Sequence, residues 1–244
     1  MDNCIIYTAG YSPAMSYCIQ ILKQAGFTLV SEPCMEATHL LLPVPSFTPD
    51  GMIVGGGSLR TLLTLLPGNI TVIGGNLDCP ELTGYATVDL LQDEGYLTAN
   101  AQITAHCAIK VALNQLPVIL EKCPVLVIGW GRIGKCLSRL LRQMGADVTV
   151  CTRKQKDRSI LIAMGYDAVD FHQVDLTAYK LVYNTAPTMV FPTCPGNALK
   201  IDLASRLGLG SSDVIWARGL PGKDAPESSG NLIAKTVIPL FRKE

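Results

Sequence analysis

The sequence has no excess charge, few aromatic rings and little histidine, and each shortage excludes something. Twenty Lys and Arg balance twenty Asp and Glu, and charged residues make up 16 % of the chain. No nucleic-acid surface and no charge-extended tail are expected from such a balance. The three histidines, His39, His106 and His172, show no metal-ligand spacing, and the nine cysteines include no C-x-x-C pair, so no metal site is expected. An odd, scattered set of cysteines reads instead as reduced residues of a core. No stretch approaches the roughly 18 uninterrupted apolar residues of a membrane helix. The start, Met1-Asp2-Asn3-Cys4-Ile5-Ile6, lacks the basic segment and longer apolar run of a signal peptide. The expectation is a cytoplasmic protein whose partners are small molecules or protein, with no nucleic acid and no membrane. Neither internal repeats nor low-complexity segments occur.

What the chain does have is apolar residues, 48 % of its 244, enough to bury a substantial core as one large domain or two small ones. One segment stands out. Val125-Leu126-Val127-Ile128 runs into Gly129-Trp130-Gly131-Arg132-Ile133-Gly134, a strand opening into a G-x-G-x-x-G turn. In a dinucleotide-binding turn Gly129 permits the tight reversal, Gly131 lets the backbone approach a pyrophosphate, and Gly134 lets the helix lie close on the sheet. The flanks fit. Ile133, Leu137, Leu140, Leu141 and Met144 fall at helical spacing, Gly145 supplies a stop, and residues 146–151 read as the next strand.

The end of that next strand bears on the choice of nucleotide. A carboxylate there accepts hydrogen bonds from adenosine ribose hydroxyls, but the sequence has Thr152-Arg153-Lys154, with Lys156 and Arg158 close behind. A guanidinium beside a hydroxyl suits a 2′-phosphate, which favours NADP over NAD. The alternative is a solvated basic loop.

Around this turn the chain reads as α/β throughout, with two doubly wound parallel-sheet lobes, the second a Rossmann dinucleotide-binding domain. Residues 1–97 form the first lobe, for substrate or partner. Its strand signals are Ile5-Ile6-Tyr7, residues 27–30, His39-Leu40-Leu41-Leu42, Met52-Ile53-Val54 and residues 70–73. Ser12-Pro13 starts a helix that Gly26 ends, and a second helix is expected from Ser58 to Leu66. Gly55-Gly56-Gly57 ahead of it offers a possible anion-binding helix start. Residues 98–122 are expected as a connector helix, closed by Pro117. The domain at 123–225 carries strands at Val125, Val148, Leu181-Val182-Tyr183, Leu199-Lys200-Ile201 and Val214-Ile215-Trp216. A last amphipathic helix, 226–244, is expected to pack back on the first lobe.

Several stretches resemble the A-subunit family of dipicolinate synthase, an oxidoreductase family with the architecture of D-2-hydroxyacid dehydrogenases. They are Leu41-Leu42-Pro43-Val44-Pro45 with Asp50-Gly51, Thr104-Ala105-His106-Cys107-Ala108, Asn184-Thr185-Ala186-Pro187, residues 201–205, and Gly219-Leu220-Pro221-Gly222-Lys223-Asp224-Ala225-Pro226. The chain departs from the family in a shorter N-terminal lobe, in His106-Cys107 where the family has Glu-Gly, and in Arg206-Leu207-Gly208-Leu209-Gly210 after Ser205.

The resemblance implies NADP-dependent oxidation of dihydrodipicolinate, a cyclic dicarboxylate, to dipicolinate in sporulation. It also implies partnership with a B subunit, and a homo-oligomer is expected. Asn184, Thr185 and Pro187 join Gly129, Trp130, Gly131, Arg132, Ile133, Gly134, Thr152, Arg153 and Lys154 as expected cofactor residues. Ser205, Arg218, Gly219, Leu220, Pro221 and Gly222 are expected to hold substrate carboxylates, and His106 is the candidate proton acceptor. Loop capping by Asn and Pro, and helix packing by His106, are the structural alternatives. Two other functions stand beside this one: a non-catalytic NADP-binding module, and a 2-hydroxyacid or shikimate-type dehydrogenase. For the last, nothing after His172 can serve as the late catalytic histidine, and no motif marks a Lys/Asp pair.

Overall fold

The structure, a computed structural model, describes residues 4–242. Met1, Asp2 and Asn3 of the chain start, and the last two residues of the expected 226–244 helix, lie outside the described residues. The chain divides into two compact units, one formed by residues through Asn100 together with those from Pro221 onward, the other by Ala101–Leu220.

The first unit contains β1 (Ile5–Thr8), α1 (Pro13–Gln24), β2 (Thr28–Val30), β3 (His39–Leu41), α2 (Leu59–Leu63), β4 (Thr71–Gly74), β5 (Ala86–Asp89) and the start of α3 (Glu94–Leu113). Its sheet is all parallel in the order β2-β1-β3-β4-β5. Successive strand residues point to opposite faces, and both faces are buried. Ile6, Leu41 and Ile73 join Met15, Cys18 and Leu22 of α1 in one core, while Tyr7, Leu40, Leu42 and Val72 pack with Leu59 and Leu63 of α2 in the other. α1 starts as its sequence dictates, with the Ser12 hydroxyl accepting from the Met15 amide at 3.2 Å and Pro13 in the first turn.

The second unit contains β6 (Pro124–Ile128), α4 (Arg132–Gln143), β7 (Asp147–Cys151), α5 (Gln155–Ala163), β8 (Asp167–Val169), β9 (Leu181–Asn184), β10 (Leu199–Asp202), β11 (Ile215–Trp216) and the start of α6 (Leu220–Asp224). Its strands are also all parallel, in the order β8-β7-β6-β9-β10-β11. Strand order reverses at β6, between β7 and β9, which is where such sheets open a crevice at their carboxyl edge. The last described element is α7 (Pro226–Phe241), packed along α1 in the first unit. Gly230 permits the close approach: a Cβ there would meet the Ala14 carbonyl.

Three expectations change. Met52-Ile53-Val54 is not a strand; the Asp50-Gly51 turn folds this segment back, so that Ile53 makes only an isolated antiparallel bridge to Phe47. The connector helix is α3, Glu94–Leu113 rather than 98–122, and it takes part in both units: Tyr96 is buried in the core of the first, and the Tyr183 hydroxyl donates to the Ala108 carbonyl at 3.0 Å in the second. In the Gly55-Gly56-Gly57 run the first two glycines serve packing, since a Cβ on Gly55 would meet the backbone of Tyr11 and one on Gly56 would meet Gly10, whereas Gly57 meets nothing within 4 Å, and the α2 helix beyond is only five residues long. Beyond these, β5, β8 and α5 are elements that the sequence pattern does not announce. Both strands are at sheet edges with exposed or half-buried residues, where no apolar run marks them.

Candidate functional site

The β6–α4 turn lies at the reversal point of the second sheet. Gly129 has φ +101°, a conformation natural only to glycine, and a Cβ on it would meet Thr185 Oγ1 at 2.5 Å. Gly134, buried in the first turn of α4, rests against the Gly129 carbonyl, and a Cβ there would collide with it. Gly131 is different. It is the N-cap of α4, and a Cβ built on it meets nothing within 4 Å. The first glycine therefore makes the turn, the third lets the helix close on it, and the second leaves open space at a helix N-terminus that has no side-chain cap and no acidic residue in its first turn. The positive end of a helix dipole beside accessible backbone suits a diphosphate.

The turn is braced by the neighbouring strand. Thr185 donates to the Ile128 carbonyl through its amide at 2.8 Å and its hydroxyl at 2.9 Å. Asn184 is fully buried, and its side chain is committed: Nδ2 donates to the Ala186 carbonyl and to Asp202 Oδ2, while Oδ1 accepts from the Ala186 amide. Its amide shapes the loop, as the capping alternative supposed, and Pro187 follows as an exposed residue at the same edge. Asp202, also fully buried, accepts further from the amides of Ala204 and Gly208 at 2.9 and 2.8 Å. It clamps the loops that follow β9 and β10. In the sequence, Asp202 stands out only as part of a stretch of family resemblance. The local signal is a carboxylate ending an apolar strand, where three donors substitute for water.

After β7 the segment Thr152-Arg153-Lys154 leads into α5. Thr152 is buried and Arg153 and Lys154 are exposed. Trp130, in the glycine turn, meets Tyr166 edge to face with ring centroids 5.9 Å apart, and Lys135 Nζ lies 5.9 Å from the indole centroid. These rings and cations border a cavity of about 520 Å³ with Arg139, Asp157, Ile160 and Met164. The Cys151 thiol, at the end of β7, is pushed up to about 12, first by burial and then by the Asp170 carboxylate. It remains a neutral core group.

Of the expected substrate residues, Ser205 and Arg218 follow β10 and β11 and are exposed at the same carboxyl edge. The Arg218 guanidinium lies 5.2 Å from the Trp216 ring centroid, and Trp216 Nε1 donates to the Ala204 carbonyl at 3.0 Å. The run Gly219-Leu220-Pro221-Gly222 is not the loop expected. Only Gly219, at φ +66°, stays outside the helix; Leu220, Pro221 and Gly222 lie in α6, and the units divide between Leu220 and Pro221.

His106 is displaced from the glycine turn. It is exposed on α3, accepts from Gln102 Nε2 at 3.1 Å, and borders a hollow with Leu140, Gln143 and Met144. Those residues lie at the far end of α4; at 1.5 Å per residue, Gln143 is about 16 Å from Arg132 along the helix. The expected connector helix does carry His106, but the sequence could not say which part of the fold that face meets.

Two all-parallel units, the second with a glycine turn at its reversal point, define the class as a two-unit α/β fold with a Rossmann-like second unit, and the solved structures that it resembles include dehydrogenases. D-lactate dehydrogenase from Salmonella superposes with a TM-score of 0.58 at 12 % identity, over 98 % of this chain and 96 % of that one. More particularly, the chain is a divergent homologue of the dipicolinate synthase A chain. It is 25 % identical over 239 residues to that protein from Bacillus subtilis (strain 168), covering 86 % of this chain and 79 % of the relative. The crystal structure of the corresponding dipicolinate synthase chain from Bacillus halodurans matches with a TM-score of 0.86 at 20 % identity, over 99 % of each chain. No family model matches the chain.

Proposed function

We propose that the protein is an oxidoreductase of the dipicolinate synthase A type, which oxidises dihydrodipicolinate to dipicolinate with NADP in the sporulating cytoplasm, partnered by a B subunit. The observation that carries this is the β6–α4 turn, whose middle glycine is open while its outer two are sterically required, in a homologue of that synthase chain. A nicotinamide nucleotide, when bound, supplies hydride acceptance. The chain's own residues do the rest. The amides at the start of α4 hold the diphosphate, Arg153 and Lys154 face the adenosine ribose, and the Asn184–Asp202 clamp fixes the edge on which Ser205, Arg218 and Gly219 meet a carboxylate of the substrate.

The full chain, mixed with NADP and enzymatically generated dihydrodipicolinate, is expected to raise absorbance in the reduced-nicotinamide band, with or without the B subunit. Reduction of a simple 2-keto acid or of dehydroshikimate instead would move the protein to another dehydrogenase type. A second reading, an NADP-binding module without catalysis, is favoured by the distance of His106 from the glycine turn. Nucleotide binding with no turnover under any of these conditions selects it.

A further inference from the structure

We propose that Arg158 is a positioning residue that sets the choice between NADP and NAD, by masking negative charge beside the ribose site rather than by touching the nucleotide. This rests on reading the second unit as a dinucleotide-binding domain. Arg158 lies in the first turns of α5 with its side chain 17 % exposed. Its Nη1 donates to the Thr152 carbonyl at 2.7 Å, the Arg153 carbonyl at 2.9 Å and Asp170 Oδ2 at 2.8 Å, and its Nη2 donates to Gln155 Oε1 at 2.5 Å. Four acceptors already surround the two terminal nitrogens. Both terminal nitrogens are therefore engaged within the fold, and the 2′-phosphate is left to Arg153 and Lys154.

The placement of Asp170 gives this commitment its consequence. It follows β8, and the Thr152 amide donates to the Val169 carbonyl at 3.1 Å, so the Asp170 carboxylate stands beside the turn that follows β7. A bare carboxylate at that edge accepts from ribose hydroxyls and repels a phosphate. Arg158 cancels that charge. It also donates to the carbonyls of Thr152 and Arg153, so two further negative dipole ends of the same turn are compensated. Nη1 alone reaches all three of these oxygens, while Nη2 is held by the Gln155 side chain. Without Arg158, the edge acquires the electrostatics of an NAD site while Arg153 remains in place.

The test is a pair of titrations, NADP and NAD, following the emission of Trp130 and Trp216 in the full-chain wild type, Arg158→Gln, Asp170→Asn and the double variant. Loss of one charge-masking interaction is expected to lower the NADP-over-NAD preference about tenfold in Arg158→Gln. NAD affinity should be held or improved. Asp170→Asn in the same chain should restore most of the preference, and alone should raise it, which keeps the test alive if Arg158→Gln fails to fold. Parallel loss of both nucleotides, a preference unchanged in Arg158→Gln, or no effect of Asp170→Asn overturns the inference. A wild type that binds neither nucleotide overturns the underlying reading instead.

Discussion

Replacing Gly131 and Gly134 by alanine, one at a time, separates a nucleotide cradle from a merely structural turn. At Gly131, the added methyl meets nothing within 4 Å, and no left-handed backbone conformation is required. The only folding cost is an alanine N-cap, weaker than glycine by about 0.5–1 kcal/mol, or a fall of about 1–4 °C in Tm for a chain of this size. The same methyl occupies the space through which backbone amides reach a diphosphate. Loss of one charge-assisted hydrogen bond, about 1.5–3 kcal/mol, corresponds to roughly 10- to 100-fold weaker NADP.

At Gly134 the methyl collides with the Gly129 carbonyl and comes within 3.0 Å of the Gly129 carbonyl carbon and 3.2 Å of Thr185 Oγ1. Those are mostly backbone atoms, so relief requires moving the turn. Overpacking of this kind costs about 1–3 kcal/mol, or about 2–12 °C, with nucleotide binding lost as well. The assays are thermal unfolding without ligand and tryptophan-emission titration with NADP. Gly131→Ala binding NADP as wild type does, or unfolding as early as Gly134→Ala, would refute the reasoning.

Three further outcomes are expected. Arg153→Ala should weaken NADP much more than NAD, by about tenfold or more; equal loss in the two titrations removes the case for the phosphorylated form. Asp202→Ala strands the donors of Asn184, Ala204 and Gly208 and should cost about 3 kcal/mol or more in urea unfolding, whereas a loss below about 1 kcal/mol means the clamp is dispensable. Burial holds the Cys18 and Cys151 thiols up to about 12, against an ordinary value of 9.0. The folded state thus keeps protons that the unfolded chain releases. That stability is full below pH 9 and is lost as pH rises from 9 toward about 12. Denaturant midpoints should fall over that window, and a serine at either position should flatten the decline.

What the sequence determined by itself was contiguous chemistry. The β6–α4 turn was legible because three glycines, an apolar strand before them and a helical stripe after them are local requirements satisfied within about twenty residues. The Ser12-Pro13 start of α1 was legible for the same reason. The tertiary structure decided whatever depends on residues distant in sequence. Asn184 looked like a possible cofactor ligand, and Asp202 like one residue in a stretch of family resemblance, until β9 and β10 paired in parallel register and set one carboxamide against one carboxylate. Arg158 read as one more basic residue near a phosphate until folding brought Asp170 to it. His106 sat on the expected helix, yet the fold set it at a hollow bordered by Leu140, Gln143 and Met144 rather than at the glycine turn. A period or a cap is encoded by neighbours along the chain, while the partner of a buried polar group is chosen by sheet order and helix packing, which no short stretch contains.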